Sequence, residues 1–463
     1  MSKPYDVLVI GAGNAALCAA ITARRAGAKV LVLESAPREF RGGNSRHTRN
    51  IRCAHEAATG YVTGPYPVEE YWDDLLRVTA GKTNEKLARM VLEQSEHVVG
   101  WMMEQGVRFQ QPLSGTLGLG RTNAFFFGGG KAMMNSYFAA AEKLGVEVLY
   151  EAEVSDLALE DGRFVTALLR HGGREQSVTA RALVVAAGGF EANIEWLKEG
   201  WGEAAENFLI RGTPYNKGRL LRVLLDHGAR PVSEADQCHA VPIDARSPKF
   251  DGGIATRVDC VIYSIMVNKH AQRFYDEGED IWPKRYAIWG RLVAQQPDQI
   301  AYAIIDSKAQ GLFMPTIFPP YEAGTIKQLA KKLELGPKAL EKTVADFNNA
   351  VQPGAFDPTQ LDGCHTKGLK PAKTNWARKI DTPPFTGYPL RPGITFTYLG
   401  VEVDEKARVL FGANKTPADN IFAAGEVMAG NILGQGYLGG CGLLIGNVFG
   451  RIAGKEAARR AIN

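Results

Sequence analysis

The chain of 463 residues sets 54 Lys and Arg against 50 Asp and Glu, a formal charge of +4, with 45% hydrophobic and 22% charged residues. Such a balance excludes a disordered chain, and the basic excess is too small to point to nucleic acid. The 51 glycines follow no G-X-Y period, which excludes collagen and points to tight turns or close backbone approach to a ligand.

In chain order, Tyr5–Ile10 reads as a buried parallel strand, Gly11-Ala12-Gly13 as a tight turn and Asn14–Ala26 as an Ala-rich helix stopped by Gly27. Lys29–Leu33 reads as a second strand with Glu34 at its end, 23 residues after Gly11. Strand, turn, helix, strand and acid in that spacing form a dinucleotide fingerprint. Gly11, Gly13, Asn14 and Ala15 are expected to hold the pyrophosphate on backbone N–H groups. Ala16 replaces the third glycine, a position that mainly sets helix–strand packing. Glu34, followed by Ser35, is expected to accept the ribose hydroxyls and to disfavour a 2′-phosphate.

Further on, β-rich stretches are expected near 146–154, where Val154 joins the nucleotide set, and at 163–169. Residues 182–189 read as another central strand, with Ala187 and Gly188 in its terminal turn. From about 233 to 381 Pro, aromatic and charged residues rise, and a helical pair is expected around 324–350. Asn420–Glu426 returns to the first texture as a strand ending in Gly425 and Glu426, followed by a Gly-rich turn and a helix through Arg460. The predicted architecture is α/β: a Rossmann-like nucleotide-binding domain from both chain ends (1–232 and 382–463) and an inserted α+β cap (233–381).

The six cysteines, at 18, 53, 238, 260, 364 and 441, stand singly. Iron–sulfur and zinc spacings are therefore absent, no metal is expected, and free thiols in a reducing compartment are. No apolar run reaches about 18 residues, and Met1–Pro4 carries no leader features. A cytoplasmic protein is expected.

The fingerprint together with Arg41-Gly42-Gly43-Asn44-Ser45, Val185–Gly189 and Phe422–Glu426 resembles the fumarate reductase and succinate dehydrogenase flavoprotein family. Within it, Gly42–Asn50, Arg121–Phe126, Arg273–Asp280 and Arg391–Gly400 are similar to the branch that oxidises tricarballylate to cis-aconitate. Flavoproteins that hydroxylate precorrin-3B are also similar. The resemblance implies FAD, with Arg41 to Ser45, Glu426, Gly442 and Leu443 among its contacts. It implies a small tricarboxylate substrate and a separate iron–sulfur or membrane protein as electron acceptor, which would bring the chain to the inner membrane face. Ser45 stands where relatives attach FAD covalently, with His47 two positions beyond, so noncovalent FAD is expected.

The same resemblance implies that hydride leaves one substrate carbon while an arginine removes a proton from the next. Arg285 is the implied base, with Lys284 as rival because the spacing after Arg273–Glu277 is four residues longer than usual. His239 and Thr256 match cap-side substrate ligands. Arg257 and Cys260 stand where the family has a Glu and an Arg that relay protons. Thr395 or Phe396 and Tyr437 replace a His and an Arg that bind carboxylate. Tyr437 resembles instead the 3-ketosteroid dehydrogenases, where such a hydroxyl and a backbone N–H bind a ketone, so a ketosteroid desaturase and a flavin monooxygenase remain alternative readings. The missing cations have candidate substitutes in Arg46, His47, Arg49, Arg52 and Arg257, since arginine suits carboxylate. Tyr398 is a further expected substrate contact.

Overall fold

Val7, Leu8 and Val9 are completely buried, as a strand covered on both faces by helices must be. The computed structural model describes residues 5–112, 118–160 and 162–462. Met1–Pro4, whose lack of leader features was noted above, lies outside the described residues.

Strand β1 (Tyr5–Ile10) is central to an eight-stranded sheet. It is flanked by β2 (Val30–Leu33) and then β3 (Glu147–Leu149) on one side, all parallel. The hairpin of β4 (Glu153–Glu160) and β5 (Arg163–His171) leads into β6 (Arg174–Val185), which pairs parallel with the other side of β1. Far along the chain, β11 (Arg408–Phe411) and β12 (Thr416–Ala423) complete the sheet, β12 running parallel to β6. The expected halves of the nucleotide-binding unit thus meet as neighbouring strands.

Helix α1 (Asn14–Arg25) packs along the last helix, α2 (Cys441–Ile462). Gly446, Gly450 and Gly454 of α2 face the Ala15–Ala19 stretch of α1. A Cβ at Gly450 would stand 2.4 Å from the Ala15 carbonyl oxygen. The glycines therefore let the two backbones touch, and this seam fixes the start of α1 against the start of α2.

The second sheet is built around the long strand β10 (Phe385–Thr397). β7 (Cys238–Asp244) and β9 (Ala301–Ile305) run antiparallel to it, β8 (Ile265–Asn268) extends beyond β9, and Leu209–Ile210 pairs parallel. This sheet draws on residues on both sides of 233–381. The expected helical pair is present as Ile326–Lys332 and Pro337–Ala350. Among the described residues, no helix is long and apolar enough to cross a membrane.

Candidate functional site

The first turn shows why its glycines are required. Gly11 has φ +101°, and a Cβ there would lie 2.3 Å from the Ala186 carbonyl oxygen. At Gly13, by contrast, a Cβ would meet nothing nearer than the Ser45 hydroxyl at 3.6 Å, so the backbone lies open to a ligand. The Asn14 N–H donates to Ser45 Oγ at 3.1 Å, and the Asn14 side-chain amide donates to the Leu443 carbonyl at 2.9 Å. The fingerprint turn, the Gly43–His47 turn and the head of α2 are thereby locked together.

These elements border one elongated cavity holding about 1670 Å³ of empty space, counting the part open to solvent. One end is lined by Glu34, Ser35 and Val154, the middle by Gly11, Gly13, Asn14, Ala15, Gly43, Asn44 and Ser45, with Ala187, Gly188, Gly425 and Glu426. Gly442 and Leu443 line the other end. Glu34 is 6% exposed, accepts from the Ala36 N–H at 2.8 Å, and is raised above the usual carboxylate range by burial. A buried acceptor at the end of β2, glycine backbone at the bend and a helix head beyond it match an adenosine, a pyrophosphate and a flavin in turn. The residues fit FAD.

Three expected contacts stand off the cavity wall. Ala16 is completely buried in the core. Arg41 donates to Tyr150 Oη at 3.0 Å and lies over the Phe138 ring. Gly42 supplies the left-handed bend, φ +106°, that starts the Gly43–His47 turn.

Glu191 was missed in the sequence because it carries no motif of its own. It is completely buried, and its Oε1 accepts from the amides of Asn44 and Asn216. Burial first, then the Glu191 charge, raise Glu426 well above the carboxylate range. A neighbouring like charge in a buried site disfavours the ionised form of each carboxyl.

At the far end the cavity becomes cationic. Arg49, Arg211 and Arg257 line it with His239, Tyr286 and Tyr437. Arg257 donates to Asp259 Oδ1 at 2.5 Å, and Arg49 lies 3.7 Å from Asp259 Oδ2. Arg211 gives one N–H to Thr395 Oγ1 at 2.9 Å, while its Nε and Nη1 have no partner among the described residues. Burial, reinforced by repulsion from Arg257, lowers the Arg211 guanidinium to about 10. Burial and Arg257 lower Arg49 as well. His239 stacks on Tyr437 with centroids 3.8 Å apart, and burial plus Arg211 and Arg257 hold it well below its ordinary value, so it is neutral at pH 7. Tyr437 Oη accepts from the Gly442 N–H at 3.2 Å. Arg211, on the segment after Leu209–Ile210, was not found from sequence; its one local sign is a charge directly following an apolar pair.

Other expected substrate residues go elsewhere. His47 lines the cavity, but its Nε2 lies 2.5 Å from Asp251 Oδ1, and Arg46 lies 3.7 Å from the same carboxylate. Arg52 is fully buried behind the wall, donating to Tyr66 Oη at 2.8 Å and to the Gly439 carbonyl at 3.1 Å. It supports the glycine turn and does not face the cavity. Tyr398 is buried against the Gly436 carbonyl, and Thr256 Oγ1 donates to the Gly253 carbonyl. Arg285 does not line the cavity: it is tied to Glu279 at 2.8 and 3.1 Å and to Tyr275 Oη at 3.2 Å. Burial alone would lower it, but these bonds outweigh burial and raise it. Lys284 pairs with Asp74 at 2.6 Å.

Fold and cavity together define a flavin-binding oxidoreductase. The FAD binding domain family (FAD_binding_2) matches residues 6–443, and the chain belongs to it, as a flavoprotein of the fumarate reductase and succinate dehydrogenase type that acts with FAD on carbon–carbon bonds. The probable fumarate reductase Ifc3 of Shewanella frigidimarina is 26% identical, the alignment covering 100% of this chain and 76% of that one. The open conformation of a flavocytochrome c3 fumarate reductase superposes with a TM-score of 0.77 at 26% identity, covering 100% and 79% of the two chains. The 3-ketosteroid-Δ4-(5α)-dehydrogenase of Rhodococcus jostii RHA1 shares the fold, with a TM-score of 0.75 at 23% identity over 99% and 97%.

Proposed function

We propose that the protein is an FAD-dependent dehydrogenase of an aliphatic polycarboxylate, oxidising tricarballylate to cis-aconitate. The observation that carries this reading is the set of buried donors without partners: Arg211 Nε and Nη1 and Arg257 Nη2, all on residues lining one cavity. A buried charge left unpaired costs several kcal/mol. Three guanidiniums and one nearby carboxylate, Asp259, leave an excess of positive charge that an anionic substrate neutralises. Bound FAD supplies the two-electron acceptor for hydride at this end of the cavity. Arg49, Arg211 and Arg257 bind and orient the carboxylates, and the aromatic walls of Tyr286, Phe396 and Tyr437 exclude water. A separate redox protein then takes the electrons.

A second reading has one specific support. The Tyr437 hydroxyl and the Gly442 N–H lie together, as a ketone oxygen would require. A steroid desaturase would have to place its apolar rings against three arginines, two of them buried, which is why the carboxylate reading is preferred. Anaerobic bleaching of the flavin by tricarballylate, succinate, citrate and a 3-ketosteroid separates the two. Bleaching by tricarballylate at the lowest concentration is expected; bleaching by the ketosteroid alone sinks the first reading.

A further inference from the structure

Arg285 and Tyr286 are neighbours in sequence and point in different directions. The short helix Trp282–Arg285 delivers them both to the edge of the cap. Arg285 turns outward to Glu279 and Tyr275, its side chain 32% exposed. Tyr286 turns inward, is 3% exposed, and lines the cavity. Its ring lies under the Arg257 guanidinium, 4.0 Å from ring centroid to Cζ, and edge-on to His239 at 5.8 Å. Its hydroxyl reaches the glycine turn at the head of α2: a Cβ on Gly439 would stand 3.1 Å from Tyr286 Oη. No hydrogen bond to this hydroxyl occurs among the described residues.

We propose that Tyr286, and not Arg285, is the catalytic residue that exchanges a proton with the substrate carbon. The proposal rests on the reading of the site as a carbon–carbon dehydrogenase. In the oxidative direction, the C–H bond at one carbon breaks and its proton passes to the phenolate oxygen of Tyr286. The electron pair of that bond forms the C=C bond, and the hydride lost from the adjacent carbon would be accepted by FAD held between the Gly11–Gly13 turn, the Gly43–Ser45 turn and the head of α2. In the reductive direction the neutral phenol returns the proton.

The charges around the cavity select the tyrosine over its rivals. A proton taken by the neutral His239 would create a further cation beside Arg211 and Arg257. A proton taken by a phenolate leaves a neutral phenol and no new cation, and one given by a phenol creates a negative charge that the guanidiniums stabilise. Arg257 over the ring face adds a cation–π contact of the favourable sign. Tyr437 is raised well above its ordinary value by burial and its oxygen already accepts from Gly442, so it serves as a hydrogen-bonding group.

The test is stopped-flow flavin bleaching of the FAD-loaded enzyme under anaerobic conditions, using whichever compound of the panel bleaches the wild type. Tyr286→Phe is expected to slow bleaching about 10²–10⁴-fold, the usual range for a lost proton-transfer group. The dissociation constant read from the flavin spectral shift should stay within about threefold, since a uniform-binding residue would move it instead. Flavin content should be unchanged, and Arg285→Ala should bleach at close to the wild-type rate. Should Tyr286→Phe bleach within tenfold of wild type, or Arg285→Ala show the larger loss, the assignment is overturned. A 3-fluorotyrosine at 286, which acidifies the phenol and keeps the ring, should shift the pH–rate profile to lower pH; an unmoved profile overturns the proposal even where Tyr286→Phe fails to fold. If only the ketosteroid bleaches the wild type, the carboxylate reading falls while Tyr286 is judged on that compound. If nothing bleaches it, both fall.

Discussion

Arg211 carries the strongest prediction at the level of a single residue. Two of its N–H groups are unpaired inside the cavity, so a carboxylate there gains charge-assisted hydrogen bonds. Arg211→Ala should weaken tricarballylate binding by about 10–150-fold, the equivalent of about 1.5–3 kcal/mol, while FAD stays bound. Titration of the flavin spectrum with substrate measures this, and an unchanged dissociation constant would remove Arg211 from the site. The pH dependence has a definite sign. Arg211 is lowered to about 10, so it is charged at neutral pH and carboxylate affinity is full there. Affinity should fall as the pH rises through about 10, and in Arg211→Ala that part of the loss should vanish. Arg49 and Arg257, expected from their positions after the Gly-Gly-Asn-Ser turn and on the cap, do line the cavity; Arg46 and Arg52 were indistinguishable from them in sequence. Side chains three residues apart on an irregular turn face different ways, and only the location of Asp251 and Tyr66 decides which guanidinium is already occupied.

At the level of elements, the α1–α2 seam depends on glycines that have no room for a side chain. A Cβ at Gly454 would lie 2.2 Å from the Ala19 carbonyl oxygen. Gly454→Ala should therefore force the helices apart at a cost of about 1–3 kcal/mol. A melting curve should show a loss of several degrees, and flavin should be released earlier, because Asn14 and Leu443 are joined across the same seam. The flavin-binding elements were legible in sequence because each is set locally: a continuous apolar run for β1, a turn that requires glycine at position 11, an Ala-rich helix, an acid at the end of β2. The helical stretch 441–462 and the strand near Phe422 were legible for the same reason. The cap was not. Strand β10 pairs with β7 and β9, which lie roughly 80 to 160 positions earlier by sequence number, and no local pattern encodes partners that distant. Tyr286 was overlooked beside Arg285 because a four-residue helix gives no periodicity from which to tell inward from outward.

On the scale of the whole molecule, the cavity is walled by both chain ends and by the cap, so a dinucleotide bound there contacts all three. A ligand that binds only the folded chain stabilises it by mass action. Removing FAD should lower the melting temperature, and adding free FAD should restore it; identical melts of the two forms would contradict this. Acid precipitation of the yellow protein should leave the colour in the supernatant. Ser45 offers a hydroxyl engaged by the Asn14 N–H, and His47 is occupied by Asp251. Colour held in the pellet would mean a covalent bond to a neighbouring residue.

Strand β10 has a mechanical consequence. Its first half is gripped by β9 and the Tyr321–Ala323 strand, and its last residues carry Thr395 to Arg211 and Thr397 to Glu426. It runs on from the roof to the wall of the cavity, where Thr395 and Phe396 lie. A displacement of the roof carried along this strand would reach both threonines together. Arg211 at the cationic end and Glu426 in the middle of the cavity are thus geared to one unbroken length of backbone.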